Sequence, residues 1–202
     1  MDERPASNGP DRPVVYLETE RLVLRRFTPD DLDDLVALDG DPAVMRYITG
    51  GPPTPRDEMR DEYLPSWLAY YDRGDRYGFW AAIERETGEF LGWFHLRPLP
   101  DDPDDEPELG YRLIRAAWGR GYATEGSIAL VDKAFAELGA RRVHASTMAV
   151  NTGSWRVMEK SGLRFVRTFV MDWPVRIEGD EEGDVEYAIT RAQWEADRAA
   201  AR

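Results

Sequence analysis

The sequence predicts a mixed α/β fold: a single domain whose sheet is centred on one parallel β-α-β crossover, with helices on both faces. Three observations predict it. Strand-like and helix-like segments alternate along the chain with no interior linker or repeat. One strand, Glu108–Arg115, passes through a glycine turn into a helix and then into a second strand, Arg142–Val150. The length of 202 residues suits one domain of ordinary size.

The elements follow in order. Residues 1–14 are polar and hold Pro5, Pro10 and Pro13; they read as a disordered tail, leaving 15–202 as the domain. Leu22 and Leu24 alternate within 20–27, a strand pattern. Thr28-Pro29-Asp30-Asp31 reads as a helix start, with Thr as N-cap, Pro at the first helical position and an acid facing the free amides. Leu32, Leu35, Val36 and Leu38 give that helix an apolar face, which ends near Gly40. A second helix starts at Thr54-Pro55, where Met59, Tyr63, Trp67 and Tyr70/Tyr71 recur at helical spacing; Pro65 should kink or divide it. Tyr77–Arg85 and Glu89–Arg97 form a hairpin about Glu86-Thr87-Gly88. An acidic, proline-broken loop over 101–107 leads into Glu108–Arg115. In the helix Thr124–Leu138, Ile128, Val131, Phe135 and Leu138 are expected to be buried, with Gly139 closing the helix. After Arg142–Val150 come a short helix, Gly153–Lys160, stopped at Ser161-Gly162, and a strand, Leu163–Trp173, with a turn at Pro174. Val185–Thr190 is the last strand.

Composition removes several functions. The chain has 26 basic and 39 acidic residues, a formal charge of −13, which is the wrong sign for nucleic acid or an anionic membrane surface as the main partner. No segment approaches the roughly 20 apolar residues of a membrane span, and the N-terminus has no signal-peptide run, so a cytoplasmic protein is expected. There is no cysteine, which excludes a disulfide scaffold, a Cys nucleophile and a Cys-based metal site. The only histidines are His95 and His144, too few for a multi-His metal site, and no metal is expected. Both read as packing residues within strands. A Gly-Lys-Ser/Thr loop and a dinucleotide fingerprint are both absent.

Two stretches carry chemistry. In Glu108–Thr124, ELGYRLIRAAWGRGYAT, a strand runs into Trp118-Gly119-Arg120-Gly121-Tyr122-Ala123 and then into a helix. Gly119 and Gly121 let the turn curl so that successive N–H groups point one way. The helix N-terminus adds its unpaired N–H groups and the positive end of its dipole, forming a cradle for a pyrophosphate. Arg120 can add a charge. From the two glycines alone, an ordinary strand-to-helix turn is the better reading. In Asn151–Leu163, NTGSWRVMEKSGL, Asn151 can cap a helix or face a ligand, and Ser154 lies on the same face.

With both stretches in register, the chain resembles the GNAT N-acetyltransferases, and within them the RimJ/RimL-type branch, over about residues 16–195. ETERLVLR at 18–25 is similar to the family's first strand and DPAVMRYI at 41–48 to its early helix. ELGYRLIRAAWGRGYATEG at 108–126 is similar to its coenzyme A motif, and NTGSWRVMEKSGLRF at 151–165 to its Asn-x-x-Ser segment. There are departures. Trp118 stands where Gln or Arg is common, Met158 where other branches carry an acid tyrosine, and Leu163-Arg164 interrupt the usual Gly-Phe.

The resemblance implies an acetyl-CoA-dependent N-acetyltransferase acting by direct attack of a primary amine in a ternary complex. It implies a sheet splayed at the parallel crossover, with pantetheine in the gap, pairing with the backbone of Leu113, Ile114 and Arg115. A backbone N–H there can hold the developing oxyanion. Trp118, Gly119, Arg120, Gly121, Tyr122, Ala123 and Thr124 would form the coenzyme's pyrophosphate turn, and Asn151 would hold the pantetheine chain. Glu108 is the candidate base, alternatively one more solvated carboxylate. Ser154 is the candidate acid for the thiolate, alternatively a helix-surface serine. The aromatics Tyr63, Trp67, Tyr70 and Tyr71 read mostly as core, in a region that forms part of the family's acceptor wall. Arg46 could meet either substrate or a carboxylate. The acceptor is a protein N-terminus or a small amine, and the acidic loops 101–108 and 178–184 suggest a cationic one. A monomer or homodimer is expected. The other reading is a non-catalytic acetyl-CoA-binding sensor.

Overall fold

The computed structural model describes residues 13–171 and 176–200. The strands are β1 Val15–Glu18, β2 Leu22–Arg26, β3 Gly78–Glu84, β4 Phe90–Arg97, β5 Glu108–Leu113, β6 Arg142–Met148, β7 Arg164–Phe169 and β8 Asp184–Thr190. They form one sheet in the order β1-β2-β3-β4-β5-β6-β8-β7. Every neighbouring pair is antiparallel except β5 and β6. That parallel pair shares a single register match, Glu108 opposite His144. The two strands therefore meet at their N-terminal ends and do not pair beyond, which is the splay the resemblance implies.

Strand alternation divides the core between the two faces. Phe94, Leu96, Leu109 and Leu113 join Leu130, Val131 and Phe135 of helix α5, Tyr122–Ala136, on one face. Phe79, Ala81 and Trp93 join Leu35, Leu38, Met59 and Trp67 on the other. The second face is covered by α1, Leu32–Asp39, α2, Pro42–Met45, α3, Arg56–Glu58, and α4, Leu64–Leu68. A side chain as large as Phe94, fully buried, contributes about 1.5–3 kcal/mol by removal from water. Its ring lies so close to α5 that a Cβ on Gly126 would stand 2.4 Å from it. The glycine sets how near the crossover helix lies to the sheet. Helix α6, Thr152–Lys160, follows β6, and α7, Arg191–Ala200, follows β8.

Several expectations change. Ile128 is 42% exposed: the buried stripe of α5 runs through Gly126, Leu130 and Ala134 and through Ser127, Val131 and Phe135, and Ile128 lies beside it. Pro65 neither divides nor ends its helix. A π turn over Met59–Tyr63 joins α3 to α4, and Leu64 N–H reaches back to Met59 O. That wider turn accommodates the ring and the missing donor of Pro65. Strand β5 ends at Leu113, because Arg115–Ala117 form a 3-10 turn. The four-residue β1 and the polar helix α7 had no expected counterpart. Helix α7 is held through Trp194, whose indole donates to Asp132 at 2.7 Å and packs against Phe135. Residues 1–12 of the expected tail, together with Trp173 and Pro174, lie outside the described residues.

Candidate active site

The turn between β5 and α5 is built from its backbone. Gly119 and Gly121 have φ of 71° and 85°, a region that disfavours any side chain. A Cβ at Gly119 would meet nothing within 4 Å, so conformation and not space requires the glycine there. Among the described residues, no backbone N–H from Gly119 through Thr124 donates to a protein acceptor. With the positive end of α5 behind them, these groups suit the negative oxygens of a pyrophosphate.

Side chains brace this turn. Arg21, between β1 and β2, donates from its backbone N–H and its Nε to Glu125 at 2.8 and 2.7 Å. Its Nη1 donates to Arg120 O at 2.9 Å. The sequence reading missed this clamp, since its two ends lie 104 residues apart. Tyr122 is 2% exposed and its hydroxyl is hydrogen bonded to Glu84, so only its backbone N–H is available to a ligand. The Arg120 guanidinium lies over the Tyr122 ring and 3.3 Å from Glu84, and part of its charge is already matched there. Ala123 and Thr124 offer the first amides of the helix. Trp118 is 47% exposed, and its indole donates to Leu113 O at 2.8 Å.

The strand edge at the gap is also corrected. Ile114 N–H donates to Leu91 O on the β4 side, whereas His144 N–H donates to Pro107 O from the β6 side. Alternation then turns Tyr111 and Leu113 toward the gap. Ile114 faces the other way, and Arg115 has entered the 3-10 turn, where its Nε lies 3.3 Å from Asp41. Arg115, Ile114, Asp41, Leu38 and Val44 line a cleft of about 280 Å³ between this turn and α1–α2.

Glu108 sits where the strands part, on the face covered by α1–α4, and its side chain is 16% exposed. Arg97 on β4 and His144 on β6 stand opposite it in register. Arg97 Nη2 is 3.9 Å from Oε2 and His95 Nε2 is 3.2 Å from the same oxygen. Burial alone would raise the Glu108 carboxyl. The His95 contact, with the positive charge of Arg97, outweighs it and holds the carboxyl below the ordinary range. Burial pushes His95 down, and the nearby Arg97 and Arg112 add to this, so it stands neutral. His144 is buried, with Nε2 2.9 Å from Asp102 of the acidic loop. Both histidines, read as packing residues, thus flank Glu108.

Asn151 caps α6: its Oδ1 accepts from Ser154 N–H at 3.4 Å and its Nδ2 donates to Thr147 Oγ1 at 3.1 Å. Ser154 Oγ lies 3.2 Å from the Tyr111 hydroxyl, which donates to Ser154 O at 2.8 Å. Burial pushes Tyr111 up, so it stays protonated. Tyr111 packs on the α5 face of the sheet, so Glu108 and Ser154 approach β5 from opposite faces and do not touch. Met158 is buried. Trp67 is core, stacked on Phe79 at 4.7 Å, and the Tyr71 hydroxyl donates to Phe79 O, whereas Tyr63 is exposed. Arg46 meets Glu178 at 3.2 Å. Much of the acidic-loop charge is compensated: Asp105 and Glu106 by Arg141, and Asp180 by Arg176, while Asp102 lies 2.9 Å from His144 Nε2. Asp101, Asp104, Glu181 and Glu182 have no ion pair among the described residues. No metal-ligand cluster occurs, and no helix is long and apolar enough to cross a membrane, among those residues.

The sequence model of the acetyltransferase (GNAT) domain matches residues 21–164. The chain belongs to the GNAT acetyltransferase family. It is 36% identical over 185 residues to an FsC-acetyl coenzyme A-N(2)-transacetylase of Aspergillus fumigatus, covering 88% of this chain and 77% of that protein. A GNAT-family acetyltransferase from Bacillus anthracis matches its fold with a TM-score of 0.72 at 24% identity, covering 87% of this chain and 98% of that one. A spermidine N-acetyltransferase from Vibrio cholerae, solved with CoA and spermine, matches with a TM-score of 0.69 at 15% identity, covering 87% and 99%. The family match and the fungal relative support acetyl-CoA-dependent N-acetyltransferase activity.

Proposed function

We propose that this enzyme moves an acetyl group from acetyl-CoA to a primary amine by direct attack, within the RimJ/RimL-type branch of the family. The observation that carries the reading is a largely enclosed Glu108 at the root of the gap between β5 and β6, its carboxyl held below the ordinary range. An alkylamine is protonated at neutral pH, and a carboxylate held ionised there can take its proton directly or through water. The donor supplies a thioester, and the residues divide the remaining tasks. The amides of Gly119–Thr124 hold its pyrophosphate. Leu113 N–H, turned into the gap, meets the charge that grows on the thioester oxygen. Ser154 Oγ, beside the Tyr111 hydroxyl, returns a proton to the sulfur side. A base and an acid on opposite faces of β5 can act on the two sides of one thioester.

The acceptor we propose is a small cationic amine or a basic protein N-terminus. Support comes from the uncompensated Asp101, Asp104, Glu181 and Glu182, from the spermidine enzyme's likeness in fold, and from the N(2) position in the fungal relative's name. The test is thiol release from acetyl-CoA with a panel of polyamines, neutral amines and peptides. KM for the preferred amine should rise several-fold between low salt and 0.5 M, since free surface charges are screened within about 10 Å at 0.1 M. Turnover only with neutral or acidic acceptors would remove the cationic assignment; no turnover with any amine would remove the catalytic one.

A further inference from the structure

Glu108 is held on one side only. Both neighbours that approach it, His95 Nε2 and Arg97 Nη2, face Oε2. We propose that His95 is a positioning residue for this carboxylate: by holding Oε2 it presents Oε1 to the acceptor amine or its water. The inference rests on the reading of Glu108 as the base.

Four observations carry it. The His95 ring is wedged, lying near-parallel to Trp93 at 5.7 Å and edge-on to Phe79 at 5.1 Å, so it cannot swing away from β5. It lies directly over Gly110, its partner in register, where a Cβ would stand 2.5 Å from Cε1 and Nε2. Gly110 has no positive φ, so space for the imidazole, and not backbone conformation, requires a glycine there. Crossing the strand at that point is what brings Nε2 to Oε2 of Glu108, two residues along the same face.

The fourth observation is polar. Both ring nitrogens are buried, and neither makes a well-aligned hydrogen bond among the described residues. The approach to Glu108 is within reach but bent in the resting geometry. Burying an imidazole without partners is unfavourable, and an aromatic hydrocarbon would fill the same space better. A neutral ring carrying its proton on Nε2 has one group to address, the Glu108 carboxylate. The other charged or titratable groups around the carboxylate are Arg97 on β4, Arg112 on β5, and His144 with its partner Asp102.

The experiment compares His95→Phe, His95→Gln and Gly110→Ala, each checked for an unchanged circular dichroism spectrum and for acetyl-CoA binding by calorimetry. In His95→Phe the carboxyl keeps its burial and loses its donor. It should titrate at higher pH, moving the acid limb of kcat/KM upward, with kcat reduced about 10-fold or more and KM for acetyl-CoA unchanged. His95→Gln, which keeps an N–H donor, should restore most of the wild-type profile. Gly110→Ala, which displaces the ring, should reproduce the shift. Carbon NMR titration of Glu108, identified by its loss in Glu108→Gln, reads the same coupling without activity. A Glu108 titration unmoved by His95→Phe would overturn the proposal, as would the failure of both His95→Gln and Gly110→Ala to follow the pattern. If the titration moves but Glu108→Gln keeps full activity, the His95–Glu108 couple stands and the reading of Glu108 as the base falls.

Discussion

Gly121 is the most exacting position in the amide turn. At φ 85° it opens α5 in the left-handed region, and the nearest atom to an added Cβ is Arg21 Nη2 at 3.3 Å. Valine there meets two penalties. The left-handed conformation costs about 1–2 kcal/mol for a residue with a Cβ, and β-branching makes it worse. The added carbons also press on the guanidinium that ties the turn to Glu125 and to Arg120 O. If the turn relieves the strain by rotating, the amides of Gly121 and Tyr122 no longer converge. Taken together, about 2–3 kcal/mol of coenzyme binding should be lost, a roughly 30- to 140-fold weaker Kd. Isothermal calorimetry with acetyl-CoA reads this directly. Gly139→Val is the matched control: Gly139 has φ 73° with nothing within 4 Å of its Cβ position, at the far end of α5. It should lower the melting temperature by a comparable strain and leave binding alone. Wild-type affinity in Gly121→Val, or an equal loss in Gly139→Val, would refute the placement of the pyrophosphate on this turn.

Three further outcomes follow from the site and its supports. Glu108→Gln should lower kcat/KM about 10²-fold, and in the wild type activity should be retained until pH falls through the depressed carboxyl, below the ordinary glutamate range; an acid limb above that range would contradict the assignment. Ser154→Ala should lower kcat, with acetyl-CoA affinity in calorimetry nearly unchanged; a large affinity loss would make Ser154 a binding residue instead. Asp39 is 1% exposed and accepts from Arg112 at 2.6 Å and from Thr54 at 2.6 Å. Asp39→Ala leaves a half-buried guanidinium unpaired and should destabilise the fold by about 3–5 kcal/mol in denaturant unfolding; a loss under 1 kcal/mol would show that Arg112 finds another partner.

The sequence carried the parts of this molecule that depend on local pattern. The hairpin of β3 and β4, the glycine turn and the central crossover are set by alternation, by Gly119 and Gly121, and by neighbours within a few residues. It carried less where a decision depends on tertiary packing. Ile128 satisfies a helical repeat as well as Leu130 does, and only the position of Phe94 beneath Gly126 decides which of them faces the sheet. Pro65 obeys its rule in sequence and escapes it through a π turn. At the candidate site, the family resemblance pointed to Glu108, Ser154 and the amide turn, but nothing in it pointed to the residues that support them. Arg21 reaches Glu125 across most of the chain, and His95 touches Glu108 only because Gly110 lets a ring cross the strand. A sequence shows such a pair as two unrelated residues.

The seam at Glu108 and His144 has a mechanical consequence. Beyond the Glu108–His144 match and the backbone bonds from Arg141, Arg142 and His144 to the 105–107 segment, β5 and β6 leave unpaired rims in the middle of the sheet. Exposed rims exchange amide hydrogens readily and invite another chain to pair with them. A pantetheine arm that pairs along Tyr111 and Leu113 would act as the missing rung, so substrate saturation should slow deuterium uptake at those two residues and raise the melting temperature by mass action.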